Sequence, residues 1–486
     1  QEEEAVREVV NDILDVEKAL LKMSHNPSPR NDYQVRSVKD WQNIFGHGFP
    51  FSNALKSDFL KAEVSLSEDT DVGIHNTDYF KKLALYLQEV DMSKLTNYIG
   101  WFLTLDIADV LTEQIRKKLN EFLRINLKPG IPVVLDKEKC LEKLIGYNGV
   151  MENGIASLYL SEYFGDASIK KATSVVKYLN TSFLDLIKRN KWMDKKTRNT
   201  MNQWLSDLEY QMGASQNLLD KTWVQQQYDL VKLPIKRSLP LCFFQLKDNN
   251  FRQNLRMSGL PYSRQDIWPA SPLTTAGRYS PLYITVEMPA GVLQDPVFKY
   301  DELSAPIFGI MGTLTTETVT YGFLDEGQGR FQLTQKYSWT RRAKRTFKQK
   351  TNCLRRTKHE GRSSDDKTTA QERFDKSRDE ITLAKKVSDH ISLRTAHNAF
   401  AALMDEAAEK CKDFDKNAQL KAFFASFAKR FCGVGALRED EYRVNYVLKT
   451  FKKFWLAFDC KDHDKMRSED ICEILPEPKA TAVSSP

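Results

Sequence analysis

The segment from Thr316 to Thr320 has the spacing of a zinc-dependent hydrolytic site, but it lacks the metal ligands. In the motif H-E-x-x-H, two histidines one helical turn apart bind Zn²⁺, and the glutamate between them deprotonates a metal-bound water. The same frame here contains Thr316, Glu317 and Thr320. Threonine hydroxyls are neutral and lack the basicity of the imidazoles that zinc selects. The frame therefore predicts a site that keeps its general base and has lost its metal.

The sequence on both sides of this frame gives it a context. VEMPAGVLQDPVF (286–298) and GIMG (309–312) precede it, and YGFLDEG (321–327) follows. In order and spacing, these segments resemble the neprilysin and endothelin-converting-enzyme family of zinc metallopeptidases. The pattern of that family is F-P-A-G-I-L-Q-x-P-F-F, followed by G-x-x-I-G-H-E-I-T-H-G-F-D-D-x-G.

The likeness continues in the first half of the chain and covers about Glu8 to Leu475. NGVMENG (148–154) is similar to the family's V-N-x-x-M-E-N-A, and WMDKKT (192–197) is similar to its W-M-D-x-x-T-K. The resemblance implies a mainly α fold with a smaller α+β part, built as a two-lobed neprilysin-like ectodomain with a thermolysin-like catalytic lobe. We therefore expect a helix over Thr315–Thr320, although β-branched residues favour strands.

The resemblance also implies where the other catalytic residues should lie. Lys385 occupies the position of the third zinc ligand, and Asp389 that of the carboxylate that orients a ligand histidine. Ala276 and Gly277 replace the N-A pair that binds the substrate backbone, so we interpret them as a substrate-binding remnant. The His and Arg of the family's D-x-H-S-P…R segment are predicted to be deleted. We expect Glu317 and Asp389 to be relics, and Lys385 to face Glu317 as a substitute cation.

A rebuilt metal site is the alternative to zinc loss. Of the seven histidines, His390 and His397 lie near a relic position, but they are two helical turns apart. Zinc needs three or four converging ligands, so ordinary histidines are the favoured interpretation. No cofactor is predicted.

The sequence is expected to fold into two lobes, with a flexible loop and a flexible tail. Residues 1–215 are predicted to form a helical lobe, in which apolar residues from Leu95 to Ile115 mark one long amphipathic helix and Asp194 caps a helix that Gly213 could end. Residues 216–475 are predicted to form the degenerate peptidase lobe, with a strand over Leu282–Met288. Residues 476–486 are expected to be a flexible tail, and 361–366 a flexible loop.

Cysteine usage favours an oxidising compartment on the family resemblance. That resemblance implies a disulfide between Cys353 and Cys472, and it leaves Cys140, Cys432 and Cys460 without partners in this chain. The chain is therefore expected to be a processed product or a gene-model fragment. Pairing of Cys242 with Cys411 stays open. Asn180 begins the sole glycosylation sequon, and we expect an extracellular or secreted protein.

Charge suggests a second kind of partner. The chain carries a net charge of +7 and has a pI near 8.8, and a basic run extends from Arg341 to Lys358. Such a run could bind a polyanion, although charge runs are more often solvated surface. No nucleic-acid-binding module is recognisable, and no run of eighteen apolar residues could span a membrane. The cations of the candidate patch are Arg341, Arg342, Lys344, Arg345, Lys348 and Lys350.

Two classes of function follow. The first is a catalytically inactive homologue, or pseudoprotease, that binds a peptide, a protein or an active relative. The second is a zinc metalloendopeptidase that uses substitute ligands. A basic-surface polyanion binder is a further alternative.

Overall fold

The computed structural model describes residues 2–24, 33–126, 136–145, 149–232, 238–258, 268, 271–301, 304–329, 335–356, 369–409, 415–432, 438–468, 471–472 and 474–475. The flexible loop predicted at 361–366 and the tail predicted at 476–486 lie outside these residues. The chain is mainly helical, as predicted. None of the described helices is long and apolar enough to cross a membrane.

The helices are numbered in chain order. They are α1 (Glu2–Ser24), α2 (Val38–Phe45), α3 (Phe51–Lys61), α4 (Thr77–Glu89), α5 (Met92–Ile107), α6 (Glu113–Asn126), α7 (Asp136–Leu144), α8 (Glu152–Tyr163), α9 (Asp166–Arg189), α10 (Lys195–Asp207), α11 (Lys221–Gln226), α12 (Leu239–Ser258), α13 (Ser304–Ile307), α14 (Thr313–Gln328), α15 (Arg341–Lys350), α16 (Asn352–Arg356), α17 (Thr369–Ala408), α18 (Lys416–Lys429), α19 (Arg438–Lys449) and α20 (Lys452–Phe458). The strands are β1 (Tyr33–Ser37), β2 (Asp71–His75), β3 (Glu209–Gly213), β4 (Arg278–Ser280) and β5 (Thr285–Pro289).

The chain folds into two compact units. The first contains residues 1–158 and 216–263, and the second contains 159–215 and 264–486. The division predicted at residue 215 is thus one of three points at which the chain passes between units. Residues 159–215 belong with the second unit, because α9 packs against α17 and β3 pairs with β5.

In the first unit, β1 and β2 form an antiparallel pair beside a small aromatic core, with α2 and α3 between them in the chain. The long helix predicted between Leu95 and Ile115 is interrupted. Helix α5 ends at Ile107, a short 3₁₀ turn follows, and the extended backbone of Leu111 precedes α6. No residue of α5 is fully buried, but the helix packs against α1, and Ile107 at its end contacts the small core of Val150, Phe243 and Leu246.

The second unit contains a three-stranded sheet in the order β3-β5-β4. Strand β5 is central and runs parallel to β3 and antiparallel to β4. All five of its residues are buried. The strand predicted at Leu282–Met288 is thus confirmed only from Thr285 onward, because residues 281–284 form a turn. Strand β4 lies at an edge of the sheet.

Helix α10 shows both a confirmed and a wrong prediction. Asp194 is its N-cap, because the Asp194 carboxylate accepts a hydrogen bond of 2.8 Å from the Thr197 N–H. The helix ends at Asp207 rather than near Gly213. Gly213 instead ends strand β3 with φ +87°, because backbone pairing with the buried strand β5 draws residues 209–213 into the sheet.

The Thr-rich segment is helical, as predicted. A π-helical turn over Phe308–Gly312 runs directly into α14, which contacts α17 along its length. Burial on nearly every side outweighs the strand propensity of the threonines, since tertiary packing routinely overrides propensity. Helices α14 and α17 therefore position the candidate site.

Candidate functional site

The two threonines at the zinc-ligand positions donate hydrogen bonds from their hydroxyls to backbone carbonyls of α14 or of the turn before it. The Thr316 hydroxyl lies 2.8 Å from the Gly312 carbonyl oxygen, and the Thr320 hydroxyl lies 2.7 Å from that of Thr316. Both residues are buried. Threonine commonly donates to the carbonyl four residues earlier when it sits inside a helix. The Thr316 hydroxyl also lies 3.2 Å from the Ser392 carbonyl oxygen of α17, so the hydroxyls at both ligand positions are engaged by backbone carbonyls.

The relic carboxylates Glu317 and Asp389 are joined by an arginine. Arg443 of α19 donates from Nε and Nη2 to the Asp389 carboxylate, at 2.8 and 2.6 Å, and its Nη2 also lies 2.9 Å from Oε1 of Glu317. Asp389 is 1% exposed and Glu317 is 7% exposed. Such a bidentate contact matches the planar guanidinium fork to a carboxylate.

A second arginine completes the cluster. Arg430, just beyond the end of α18, forms an ion pair with Oε2 of Glu317, and the Tyr321 hydroxyl donates to Oε1 at 3.2 Å. The Ser388 hydroxyl donates to the Glu317 backbone carbonyl and ties α17 to α14. Two carboxylates thus face two guanidinium groups. We call Glu317, Asp389, Arg430 and Arg443 the charge cluster.

The charges of the cluster balance under neutral conditions. Burial, followed by the nearby charge of Arg443, lowers the pKa of Arg430 to about 9. Arg430 therefore remains a cation near pH 7. The guanidinium planes of Arg430 and Arg443 also lie over the Phe431 ring, 5.0 and 4.9 Å from its centroid.

Lys385 does not have the partner that the sequence suggested. It lies half-buried on α17, one turn before Asp389. Among the described residues, the cations at the Glu317 carboxylate are Arg430 and Arg443, and no contact joins Lys385 to Glu317. The expectation that Lys385 would replace the metal charge at Glu317 is therefore corrected.

The prediction that the site had lost an arginine also needs correction. Arg443 lies in the run YRVNYVLKT (442–450), upstream of Cys460. The structure brings it directly to both relic carboxylates. The overlooked signal was an arginine flanked by aromatic residues upstream of Cys460. Arg430 carried no comparable signal, because its position at Glu317 depends on how α18 packs.

The donor set in this region does not fit zinc. The ligand positions offer two neutral hydroxyls that hydrogen-bond to backbone carbonyls, and the carboxylates are bound by arginines. In the part of the chain that the structure describes, no group of three or more His, Cys, Asp or Glu side chains converges as metal ligands do.

The two histidines near the site are buried in the core of the second unit. Burial and the charge of Arg394 lower the pKa of His390, whose ring also contacts Tyr446. His397 stacks on Phe424 at 5.7 Å. The two rings therefore sit among different neighbours.

The substrate-binding remnant borders the sheet. Ala276 and Gly277 directly precede edge strand β4. A Cβ atom on Gly277 would lie 2.5 Å from the Met288 sulfur, so the side chain must be absent here for the chain to pass β5. Next to it, Arg278 forms an ion pair of 2.7 Å with the fully buried carboxylate of Glu287.

The predicted disulfide between Cys353 and Cys472 is present, with Cα atoms 5.8 Å apart. Cys140, Cys432 and Cys460 form no disulfide within the described residues. Cys242 is also a free thiol there, while Cys411, its suggested partner, lies outside the described residues.

The sequon residue Asn180 lies inside α9. Its side-chain oxygen accepts a hydrogen bond of 3.2 Å from the Tyr210 hydroxyl. A half-buried position inside a helix is unlike the surface loop that glycosylation needs.

Within the basic run, Arg341–Lys350 form α15 and Asn352–Arg356 form α16. Ala343 and Phe347 are buried on one face of α15, and the cations other than Lys344 are exposed on the other. Lys344 instead donates to the Gln328 carbonyl at 2.7 Å, near the end of α14. Trp339 and Phe347 are core residues, not part of a surface patch.

Comparison with known proteins places these observations in a family. Residues 1–215 match the N-terminal profile of peptidase family M13, and residues 277–474 match its second profile. Human membrane metallo-endopeptidase-like 1 is 22% identical over 499 residues, which cover 96% of this chain and 61% of the relative. Human neprilysin is 22% identical over 502 residues, with 96% and 64% covered. The chain thus spans about three-fifths of the length of these curated relatives.

A solved structure shows the same fold. The open state of the Mycobacterium tuberculosis zinc metalloprotease Zmp1 superposes with a TM-score of 0.68. The match covers 94% of this chain and 70% of that chain, at 19% identity.

Proposed function

This chain belongs to peptidase family M13, and we propose that it is a member that has lost zinc-dependent catalysis and acts by binding a peptide or a protein. The observation that carries this proposal is the charge cluster. Glu317, at the position of the general base, is held by Arg430 and Arg443, while the hydroxyls at the ligand positions bond to the backbone of α14.

The proposed loss of catalysis follows from the chemistry of the two threonines and from the partners of the Glu317 carboxylate. A zinc peptidase needs ligands that hold the metal, and the metal must lower the pKa of a bound water. Neutral threonines cannot replace the two imidazoles. A glutamate neutralised by two arginines is also poorly suited to take a proton from water. The arginines here stabilise the carboxylates in place of catalysing hydrolysis.

Binding of a peptide is supported by the edge strand. Strand β4 pairs with β5 on one side only in the described sheet, so its other side can pair with an extended chain. Addition of a strand to a sheet edge is a common mode of peptide recognition, in which backbone hydrogen bonds supply the affinity. Ala276 and Gly277 lie at the start of this edge, where the family resemblance implies contact with the substrate backbone.

The purified chain itself provides the first test. We expect far less than one zinc per chain by elemental analysis after incubation with zinc and desalting, and no cleavage of a mixed peptide library. Some peptides of the library should co-elute intact with the protein. Stoichiometric zinc, together with cleavage that a chelator abolishes, would instead support an endopeptidase with substitute ligands. Retention of no peptide would contradict the binding role.

A second candidate function rests on α15. Arg341, Arg345 and Lys348 follow the i, i+4, i+7 spacing of one helical face, and all three are exposed. A row of cations of this kind can bind a sulfated polysaccharide.

Elution from immobilised heparin tests this surface. The triple variant Arg341→Gln, Arg345→Gln and Lys348→Gln should elute at clearly lower salt than a control that loses the same charge elsewhere, Lys170→Gln, Lys195→Gln and Lys196→Gln, whose lysines are also exposed. Equal elution of the two variants would reduce the effect to net charge and reject α15 as a specific site.

A further inference from the structure

Arg278, in the edge strand β4, carries hydrogen-bond donors that the protein does not use. Its Nε donates to the Glu287 carboxylate at 2.7 Å, and its two Nη groups make no hydrogen bond or ion pair with the described residues. The Arg278 side chain is 46% exposed. A guanidinium presents its N–H donors in a planar fork that fits a carboxylate, so the Nη groups can bind a further acceptor.

Glu287 holds this cation in a fixed place. The Glu287 side chain is fully buried, and its second oxygen lies 3.3 Å from the Thr285 hydroxyl. Arg278 lies directly opposite Glu287 in the register of β4 and β5, and residues directly opposite one another project from the same face of a sheet. Because the buried carboxylate anchors one edge of the guanidinium, less side-chain freedom is lost when the Nη groups bind a ligand.

The other face of β4 attaches the strand to the helices. The Tyr279 hydroxyl donates to the Glu326 carboxylate of α14 at 2.7 Å, and it accepts a hydrogen bond of 3.1 Å from the Trp204 indole of α10. Successive residues of a strand point to opposite faces of the sheet. Arg278 therefore projects from the face opposite to α14.

A strand added to the edge of the sheet would bring one residue directly beside Arg278. Neighbouring strands lie about 4.7–4.9 Å apart, and directly paired residues on one face have Cβ atoms roughly 4.5–5.5 Å apart. Opposite charges in such a pair stabilise the sheet, and like charges destabilise it. Two residues along in each direction are Ala276 and Ser280, whose small neutral side chains impose no choice of charge. Selection should therefore centre on the residue paired with Arg278.

A carboxylate of the ligand can bind here although Glu287 already contacts Arg278. One guanidinium can serve two carboxylates at once, as Arg443 does with Glu317 and Asp389. The net charge of +7 on the whole chain adds a general attraction for an acidic ligand.

We propose that strand β4 recognises an extended acidic peptide, with Asp or Glu at the position paired with Arg278. The peptide backbone would pair with the side of β4 that no described strand covers, and the acidic side chain would accept hydrogen bonds from the Nη groups of Arg278. This inference rests on the peptide binding proposed above and assigns its specificity.

Calorimetric titration with three capped heptapeptides of alternating Thr and Val, which carry Glu, Gln or Lys at the central position, tests this specificity. The Glu peptide should bind about tenfold more tightly than the Gln peptide, because a charge-assisted hydrogen bond is lost with the carboxylate. The Lys peptide should bind more weakly still. Equal affinities of the three would overturn the inference and leave the proposed function intact, whereas binding of none would overturn both.

Variants test the location. The double variant Arg278→Gln and Glu287→Gln removes both charges of the pair, so that no buried carboxylate is left without a cation, and it should bind the Glu and Gln peptides equally. The control Arg252→Gln and Asp248→Asn removes an ion pair of 2.7 Å within α12 and should keep the preference for Glu. A preference that persists in the first variant would overturn the proposal.

A milder substitution guards against loss of the fold. Arg278→Lys keeps a positive charge beside Glu287 but lacks the planar fork, so it should unfold at the temperature of the parent and show a reduced preference for the Glu peptide. Circular dichroism checks that all three variants are folded. An undiminished preference in a folded Arg278→Lys variant would contradict recognition by the guanidinium.

Discussion

Arg443 is the residue whose positive charge bridges both relic carboxylates, Glu317 and Asp389. Glu317 and Asp389 are buried carboxylates in the same cluster, and without cations they would raise each other's energy. The guanidinium of Arg443 bridges them and has enough donors to serve both. Lysine, a point charge without the planar fork, would not replace it equally well.

Removal of this bridge should be costly. Arg443→Met removes the bidentate guanidinium contact from Asp389, which is 1% exposed. Breaking a buried ion pair by removing one partner costs about 3–5 kcal/mol, and we expect a loss of this order in the free energy of unfolding measured with denaturant. The exposed Arg345→Met should change stability by less than about 0.5 kcal/mol. A loss below about 1 kcal/mol for Arg443→Met would show that water solvates Asp389.

Restoring ligands should restore zinc without restoring turnover. The triple variant Thr316→His, Thr320→His and Lys385→Glu reproduces the metal-binding pattern that the family resemblance implies. Zinc per chain should rise in elemental analysis, but peptide hydrolysis should stay near background, because Arg430 and Arg443 still hold Glu317. The control Thr316→Asn, Thr320→Asn and Lys385→Gln should gain no zinc. Robust hydrolysis by the histidine variant would refute this account.

His397 should make stability depend on pH. Its pKa is about 3 in the folded protein and near 6.5 when unfolded. Between these values the unfolded chain binds a proton that the folded chain does not, so this contribution is complete above pH 6.5 and is lost as the pH falls towards 3. At pH 5 the loss amounts to ~2 kcal/mol. His397→Phe should reduce the difference in unfolding free energy between pH 7 and pH 5 by that amount, and an unchanged difference would argue that the imidazole is solvated.

At the scale of elements, the C-terminal end of α14 packs closely against the Trp339 ring. A Cβ atom added to Gly327 would lie 2.0 Å from the Trp339 ring. That ring packs on Phe323 and Phe347, both at 5.0 Å. The glycine is therefore required by packing, whereas its backbone needs no unusual conformation.

Two glycine substitutions on this segment make a matched comparison. Gly327→Ala must displace the indole, and overpacking of this kind costs roughly 1–3 kcal/mol. Gly312→Ala meets its nearest neighbour at 3.5 Å, an ordinary contact, so it should be neutral or stabilising by up to about 1 kcal/mol. Thermal unfolding monitored by tryptophan fluorescence checks both. Equal effects of the two substitutions would contradict the close packing at Trp339.

At the scale of the whole molecule, one covalent bond links distant parts of the second unit. The disulfide joins Cys353 to Cys472, 119 residues further along the chain. Closing so long a loop restricts the unfolded chain, and a disulfide of this kind stabilises the fold by about 2–5 kcal/mol.

Loss of that bond should destabilise the second unit. The double variant Cys353→Ser and Cys472→Ser should unfold at lower denaturant concentration than the parent, by about 2–5 kcal/mol in free energy. Cys432→Ser, at an exposed thiol without a disulfide, should behave as the parent does. Similar midpoints for all three proteins would mean that the unfolded chain is not constrained by the bond.

The sequence determined the features that depend on residue identity at a fixed position. Thr316 and Thr320 cannot supply imidazole ligands in any fold, so the mismatch with zinc was readable without coordinates. The family resemblance also predicted the disulfide and the helix at the Thr-rich segment, and a local strand signal over Leu282–Met288 predicted most of β5.

Tertiary structure alone decided which groups meet. Arg443 lies 126 residues from Glu317 in the chain, and local sequence cannot show that α19 brings its guanidinium to that carboxylate in place of Lys385. Residues 209–213 became a strand because β5 offered backbone partners, although the local pattern suggested a longer helix. A cavity of about 600 Å³ lies between α9 and α17 because those helices pack side by side, although they are more than 200 residues apart in the chain. Long-range contacts are set by burial and by the geometry of packing, which a local pattern of residues does not contain.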